Sequence, residues 1–125
     1  MSAHIAFPAI TGDAPATLSA SVLTGVLRAS LKFGGRVVTD ALQMGAIVSK
    51  YGAGEAALRA FEAGSDLLLM PADPDSAIAS MLAALQSGRI TTARLDASVR
   101  RMLEIKRGLG LFQRRTVPLD SRASR

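Results

Sequence analysis

RVVTDALQMGAIVSKYGAGEAALRAFEAGSDLLLMP (Arg36–Pro71) holds two short apolar runs separated by a loop and one helix-length segment. RVVT (Arg36–Thr39) is β-branched and ends at Asp40. DLLLM (Asp66–Met70) is apolar after its first residue and ends at Pro71. Neither run alternates apolar with polar residues, so each reads as a strand covered on both faces. Between them Ala41–Gly54 is rich in Gly and small residues and reads as a loop. Glu55–Ala63 is helical and Gly64 stops it.

The flanks repeat the pattern. AHIAF (Ala3–Phe7), ended by Pro8, reads as another buried strand, followed by loop chemistry at Gly12, Asp13 and Pro15. Leu18, Val22, Leu23, Val26, Leu27 and Leu31 keep helical spacing, with Thr17 or Ser19 as cap and Gly34 as terminator. Downstream, Asp73 and Pro74 open a helix whose stripe is Ile78, Met81, Leu82 and Leu85. Thr91 or Thr92 caps a last helix with Leu95, Val99, Met102 and Leu103 on its inner face, ended by Gly108 and Gly110. The order β-α-β-α-β-α-α predicts an α/β fold with a parallel sheet and right-handed crossovers. Three parallel strands leave both sheet edges open, which points to part of a larger sheet or barrel.

Composition narrows the function classes. The chain has 125 residues, 49% of them hydrophobic, enough to bury a core. It has no Cys, so disulfides, thiolate zinc sites and Cys nucleophiles are excluded, and its single histidine, His4, excludes a multi-histidine metal site. Aromatics are 4%, too few for a base-stacking platform. The net charge of +5 owes much to Arg114, Arg115, Arg122 and Arg125, which mark a solvated basic tail more than a nucleic-acid groove. No apolar stretch approaches the ~20 residues of a membrane span, and Met1–Ile10 shows no signal-peptide pattern.

In α/β folds, functional groups gather where strands end. That rule selects Asp40 first, against the alternative of a helix cap or turn residue. It also selects His4, against the alternative of a hydrogen-bonded core histidine. Asp66 begins its strand on the opposite rim and reads as structural. YGAG (Tyr51–Gly54) lacks the lysine of a phosphate loop and reads as a helix entry.

AHIAFPAI (Ala3–Ile10), PATLS (Pro15–Ser19), VVTDALQMGAI (Val37–Ile47), YGAGEAALRAFEAGSDLLLMPADP (Tyr51–Pro74) and RLDASVRRMLEIK (Arg94–Lys106) together resemble glycoside hydrolase family 3, in its β-N-acetylhexosaminidase branch. The resemblance implies a partial (β/α)8 TIM-type barrel, about the last three βα units plus C-terminal helices. Residues 1–112 would form that portion and 113–125 a basic linker or tail. It implies a retaining glycosidase acting on terminal β-linked N-acetylglucosamine, with Asp40 as nucleophile and His4 and Met44 as substrate contacts. No metal or organic cofactor is implied. The general acid/base and the earlier strands have no counterpart here, so the chain is expected to be inactive alone and to call for the missing N-terminal barrel portion as partner. Alternatives are a β-glucosidase-type member of the family and a non-catalytic α/β module with a basic tail.

Overall fold

A computed structural model describes residues 1–113; the arginine-bearing stretch from Arg114 onward lies outside the described residues. The helical elements are α1 (Pro8–Thr11), a 3-10 turn (Ala16–Leu18), a π-type helix (Ser21–Ser30), α2 (Gly45–Val48), α3 (Ala53–Ala63), α4 (Pro74–Gln86) and α5 (Thr92–Gly108).

The three expected strands are not formed as strands among the described residues. Pairing is limited to two isolated bridges, Val38 with Leu67 in parallel and Ala6 with Pro15 antiparallel. The second and third apolar runs do lie side by side. Thr39 N–H donates to Leu67 O at 3.0 Å, Leu67 N–H to Val37 O at 3.1 Å, and the buried Thr39 hydroxyl accepts from Leu69 N–H at 2.8 Å. Beside the first run, Ser2 just before it donates its N–H to Val38 O at 2.8 Å, the one backbone bond joining this end of the chain to the second run. A ladder held at so few points is too short to register as a sheet. AHIAF is also not buried: Ile5 and Phe7 stand about half exposed. Its backbone turns to Pro15 and Ala16 instead, where Ala16 N–H donates to Ile5 O at 2.8 Å.

Helix α3 is the centre of the core. Ala57 and Ala60 pack with Leu42 and Ala77; Leu58 and Phe61 pack with Ala84 and Ile90; Ala63 packs with Leu23 and Val37. Small residues let neighbours approach closely. A side chain at Gly54 would stand 2.8 Å from Ser76 O of α4, which is why glycine occupies that turn. Gly52 starts α3 and Gly64, at φ 128°, ends it, so the glycine-rich YGAG stretch is a helix entry. Asp73 caps α4, accepting from the Asp75 and Ser76 amides, and Thr91 caps α5 through Arg94 N–H.

Four local expectations are corrected. Ala41–Gly54 is not all loop, because Gly45–Val48 completes one helical turn. The helix after Leu18 is wound with wider turns, as in the Leu31 N–H to Val26 O bond, and has no side-chain cap; Thr17 spends its hydroxyl on Ser2 and His4. On α4 Met81 and Leu85 of the expected stripe pack against the core, whereas Ile78 and Leu82 are exposed and the fully buried residues are Ala77 and Ala84. On α5 Leu95 packs against the Leu58, Phe61, Ala84 and Ile90 cluster as expected and Met102 is half-buried, but Val99 and Leu103 are exposed, and Arg94, Ser98 and Arg101 form a polar inward face.

That polar face meets Asp66, whose side chain is fully buried. Its Oδ1 accepts from Ser98 Oγ and Arg101 Nη1, both at 2.8 Å, with Arg94 Nη1 3.7 Å away. Its Oδ2 accepts from Arg28 Nη2 at 2.8 Å and Val37 N–H at 3.0 Å. Burial alone would raise the carboxyl's pKa; the donors from Val37, Ser98 and Arg101 outweigh it and hold the group below the ordinary value of 3.8. The reading of Asp66 as structural agrees with this position.

Asp66→Asn is expected to cost about 3 kcal/mol at neutral pH, because three arginines lose their buried counter-charge. A carboxyl held low in the folded state stabilises fully above its unfolded value and loses that contribution as pH falls through the folded one. In thermal melts the gap between wild type and Asp66→Asn should therefore narrow below pH 3.8 and stay constant well above it. Thr39→Val should cost about 1–3 kcal/mol in urea denaturation by orphaning the Leu69 amide, and Thr39→Ser should restore most of it.

Candidate functional site

Asp40 follows the Val37–Thr39 run, in which Val37 and Thr39 are buried, and is itself half-buried. Its Oδ1 accepts from the next amide, Ala41 N–H, at 2.8 Å, and Oδ2 has no protein hydrogen-bond partner among the described residues. One oxygen thus fixes the side chain and the other remains available to an electrophile or a proton.

The segment after Asp40 is anchored in several ways. Leu42 is 1% exposed and packs against Ala57, Ala60 and Ala77. Leu42 N–H donates to Leu69 O at 3.0 Å, Gln43 N–H to Met70 O at 3.1 Å, and Met44 N–H back to Ala41 O at 3.1 Å. Met44 then stands at the start of α2 with extended backbone (φ −64°, ψ 146°) and an exposed side chain. The rim is completed by Met70, another exposed methionine, whose φ of 45° lies in the left-handed region that few side chains adopt.

His4 is brought to the same place from the opposite end of the sequence. Its Nε2 lies 2.9 Å from Ala41 O and its Nδ1 3.1 Å from Thr17 Oγ1. His4 and the Asp40 loop are therefore joined, but through the backbone at Ala41. The sequence singles out Ser2 for nothing and Thr17 only as a candidate helix cap, yet their hydroxyls lie 2.9 Å apart. No spacing connects residues 2, 4, 17 and 41; only the folded chain does. Met70 ends the third run, on the rim that the strand-end rule selects together with Pro71 and Asp73; only its left-handed backbone is invisible in the sequence.

Among the described residues, no group of three or more acidic or histidine side chains is arranged to hold a metal ion. No described helix is long and apolar enough to cross a membrane.

Residues 1–105 match the family model described as the glycosyl hydrolase family 3 N terminal domain. A solved β-N-acetylglucosaminidase of glycoside hydrolase family 3 from Paenibacillus sp. str. FPU-7 is similar over 94% of the chain and 23% of its own, at 44% identity and a TM-score of 0.86. A β-N-acetylglucosaminidase/β-glucosidase of Cellulomonas fimi is 33% identical over 87% of the chain and 19% of its own length. A lysosomal β-glucosidase of Dictyostelium discoideum is 41% identical over 78% of the chain and 12% of its own length. The chain thus spans about a fifth or less of the curated relatives named here. With a family model covering nearly all the described residues and a structural likeness of the same extent, the chain belongs to glycosyl hydrolase family 3, within its N-terminal domain.

Proposed function

We propose that the chain supplies the nucleophile-bearing part of a retaining glycosidase site, with Asp40 as the nucleophile. The observation that carries this reading is the Asp40 carboxylate itself: half-buried after a buried run, held through one oxygen by Ala41 N–H. The other oxygen, Oδ2, would attack the anomeric carbon as the glycosidic oxygen leaves with a proton from the acid. Water would then open the glycosyl-aspartate at the same carbon, restoring the starting configuration. Met44, exposed beside Asp40, would offer an apolar face to the sugar ring.

Terminal β-linked N-acetylglucosamine is the substrate we favour, because the relatives named for that activity include the Paenibacillus and Cellulomonas proteins. A β-glucoside is the second reading, favoured by the Dictyostelium relative. In either case the second group of a retaining pair must stand about 5–5.5 Å from the nucleophile. We place that acid/base on a partner portion of the barrel, with the present chain providing the last three βα units and its C-terminal helices.

The isolated chain is expected to give no turnover of an aryl N-acetyl-β-glucosaminide. Co-expressed with the preceding barrel units of the Paenibacillus relative, it should hydrolyse that substrate, and Asp40→Asn should lower kcat at least about a thousand-fold. Turnover by the complemented Asp40→Asn protein equal to wild type would overturn the assignment. An aryl β-glucoside assayed in parallel decides between the two sugars.

A further inference from the structure

The Ser2, Thr17 and His4 side chains form a line of hydrogen bonds that ends on the backbone beside Asp40. Thr17 is fully buried, and its hydroxyl lies 2.9 Å from Ser2 Oγ and 3.1 Å from His4 Nδ1. At the other side of the ring, Nε2 lies 2.9 Å from Ala41 O. A carbonyl can only accept, so Nε2 carries the proton. In the neutral ring Nδ1 is then bare and accepts from the Thr17 hydroxyl, whose oxygen accepts from Ser2. Each donor has one acceptor, and the direction of the whole line is set by a backbone group.

That backbone group is held from elsewhere too. The peptide unit whose oxygen meets His4 donates its N–H, from Leu42, to Leu69 O at 3.0 Å, and the same oxygen also accepts from Met44 N–H at 3.1 Å. The peptide unit before it carries the Ala41 N–H that holds Asp40 Oδ1 at 2.8 Å. Ala41 therefore has a fixed peptide on its C-terminal side, and its own N–H is aimed at the carboxylate. Without the His4 bond the Ala41 carbonyl would keep only Met44 N–H, its peptide would be held less tightly, and Asp40 would gain access to other rotamers.

We infer that His4 is a positioning residue: it fixes the Ala41 peptide and through it the Asp40 carboxylate, and it makes no contact with sugar. A hydroxyl of the sugar would need a ring nitrogen, and both nitrogens already serve protein groups. The consequence for catalysis rests on the reading of Asp40 as nucleophile; the hydrogen-bonded geometry does not. The expected effect is large for so small a change, since a misplacement of about 1 Å at a reacting group can cost on the order of a hundred-fold in rate.

His4 is the only histidine of the 125 residues, so the imidazole 15N spectrum of the full chain reports this residue alone. At about pH 9, where histidine is neutral, one tautomer is expected, with a protonated Nε2 and a bare Nδ1 at widely separated shifts. An Nδ1–H tautomer, or averaged signals from a freely exchanging ring, would overturn the proposal. Amide hydrogen exchange supplies the second readout. His4→Phe should speed exchange at Ala41 and Leu42 at least about ten-fold while leaving α3 unchanged, and His4→Gln, which keeps a donor for the carbonyl, should restore the slow rates. Equal loss of protection in both variants, or loss spread through α3, would mark a packing role and overturn the positioning role. The spectrum of Asp40→Asn should show the same His4 tautomer. Failure of the nucleophile assignment would thus appear in turnover alone and failure of the present one in the His4 signals.

Discussion

The Asp66 carboxylate is the interaction on which the arrangement of elements depends. It sits at the start of the third apolar run and accepts from the second run at Val37, from the π-type helix at Arg28, and from α5 at Ser98 and Arg101. Four separate pieces of chain are thereby indexed to one pair of oxygens. The apolar contacts of α3 supply much of the buried surface but are directionless. The carboxylate supplies the direction, because each donor must arrive at a lone pair. With the start of the third run fixed next to Val37, Thr39 meets Leu67 and Leu69, and the chain emerges from that pairing at Asp40.

Much of this was legible in the sequence, and what was not has identifiable causes. Asp73 before Pro74, and one of Thr91 and Thr92 before the last helix, are legible as caps because a cap is a local hydrogen bond between near neighbours; the structure selects Thr91. Gly64 was read as a stop because left-handed backbone there favours glycine. The strands were read from apolar runs, and the runs do lie where strands would, yet the described pairing is too sparse to make a sheet. Apolarity reports that a segment is suited to burial; the number of backbone partners it meets is decided by distant residues. The α5 stripe holds at Leu95 and fails at Val99 and Leu103 for a related reason. Val99 and Leu103 have helical spacing, but the face that docks is set by Arg94, Ser98 and Arg101 meeting a buried charge, and periodicity in hydrophobicity is blind to charge pairing.

The site divides in the same manner. Asp40 could be singled out from its place after a β-branched run, and the family from VVTDALQMGAI in combination with EAGSDLLLMP (Glu62–Pro71). The way Asp40 is held could not be read, because it depends on His4 and Thr17, which lie more than twenty residues before it. Met70 likewise shows nothing unusual as a letter in DLLLM; only the backbone reveals its left-handed φ. Local chemistry singles out the carboxylate as a candidate, and tertiary contacts show what surrounds it.

The exposed side chains carry a different consequence. Ile5, Phe7 and Leu31 on one flank, and Ile78 and Leu82 on another, leave large apolar surfaces in contact with water. Any species that covers them in the folded chain and not in the unfolded one shifts the folding equilibrium by mass action, by RT ln(1 + [L]/Kd). In the presence of such a species the stability of this chain follows that species' concentration, and the melting temperature rises with it.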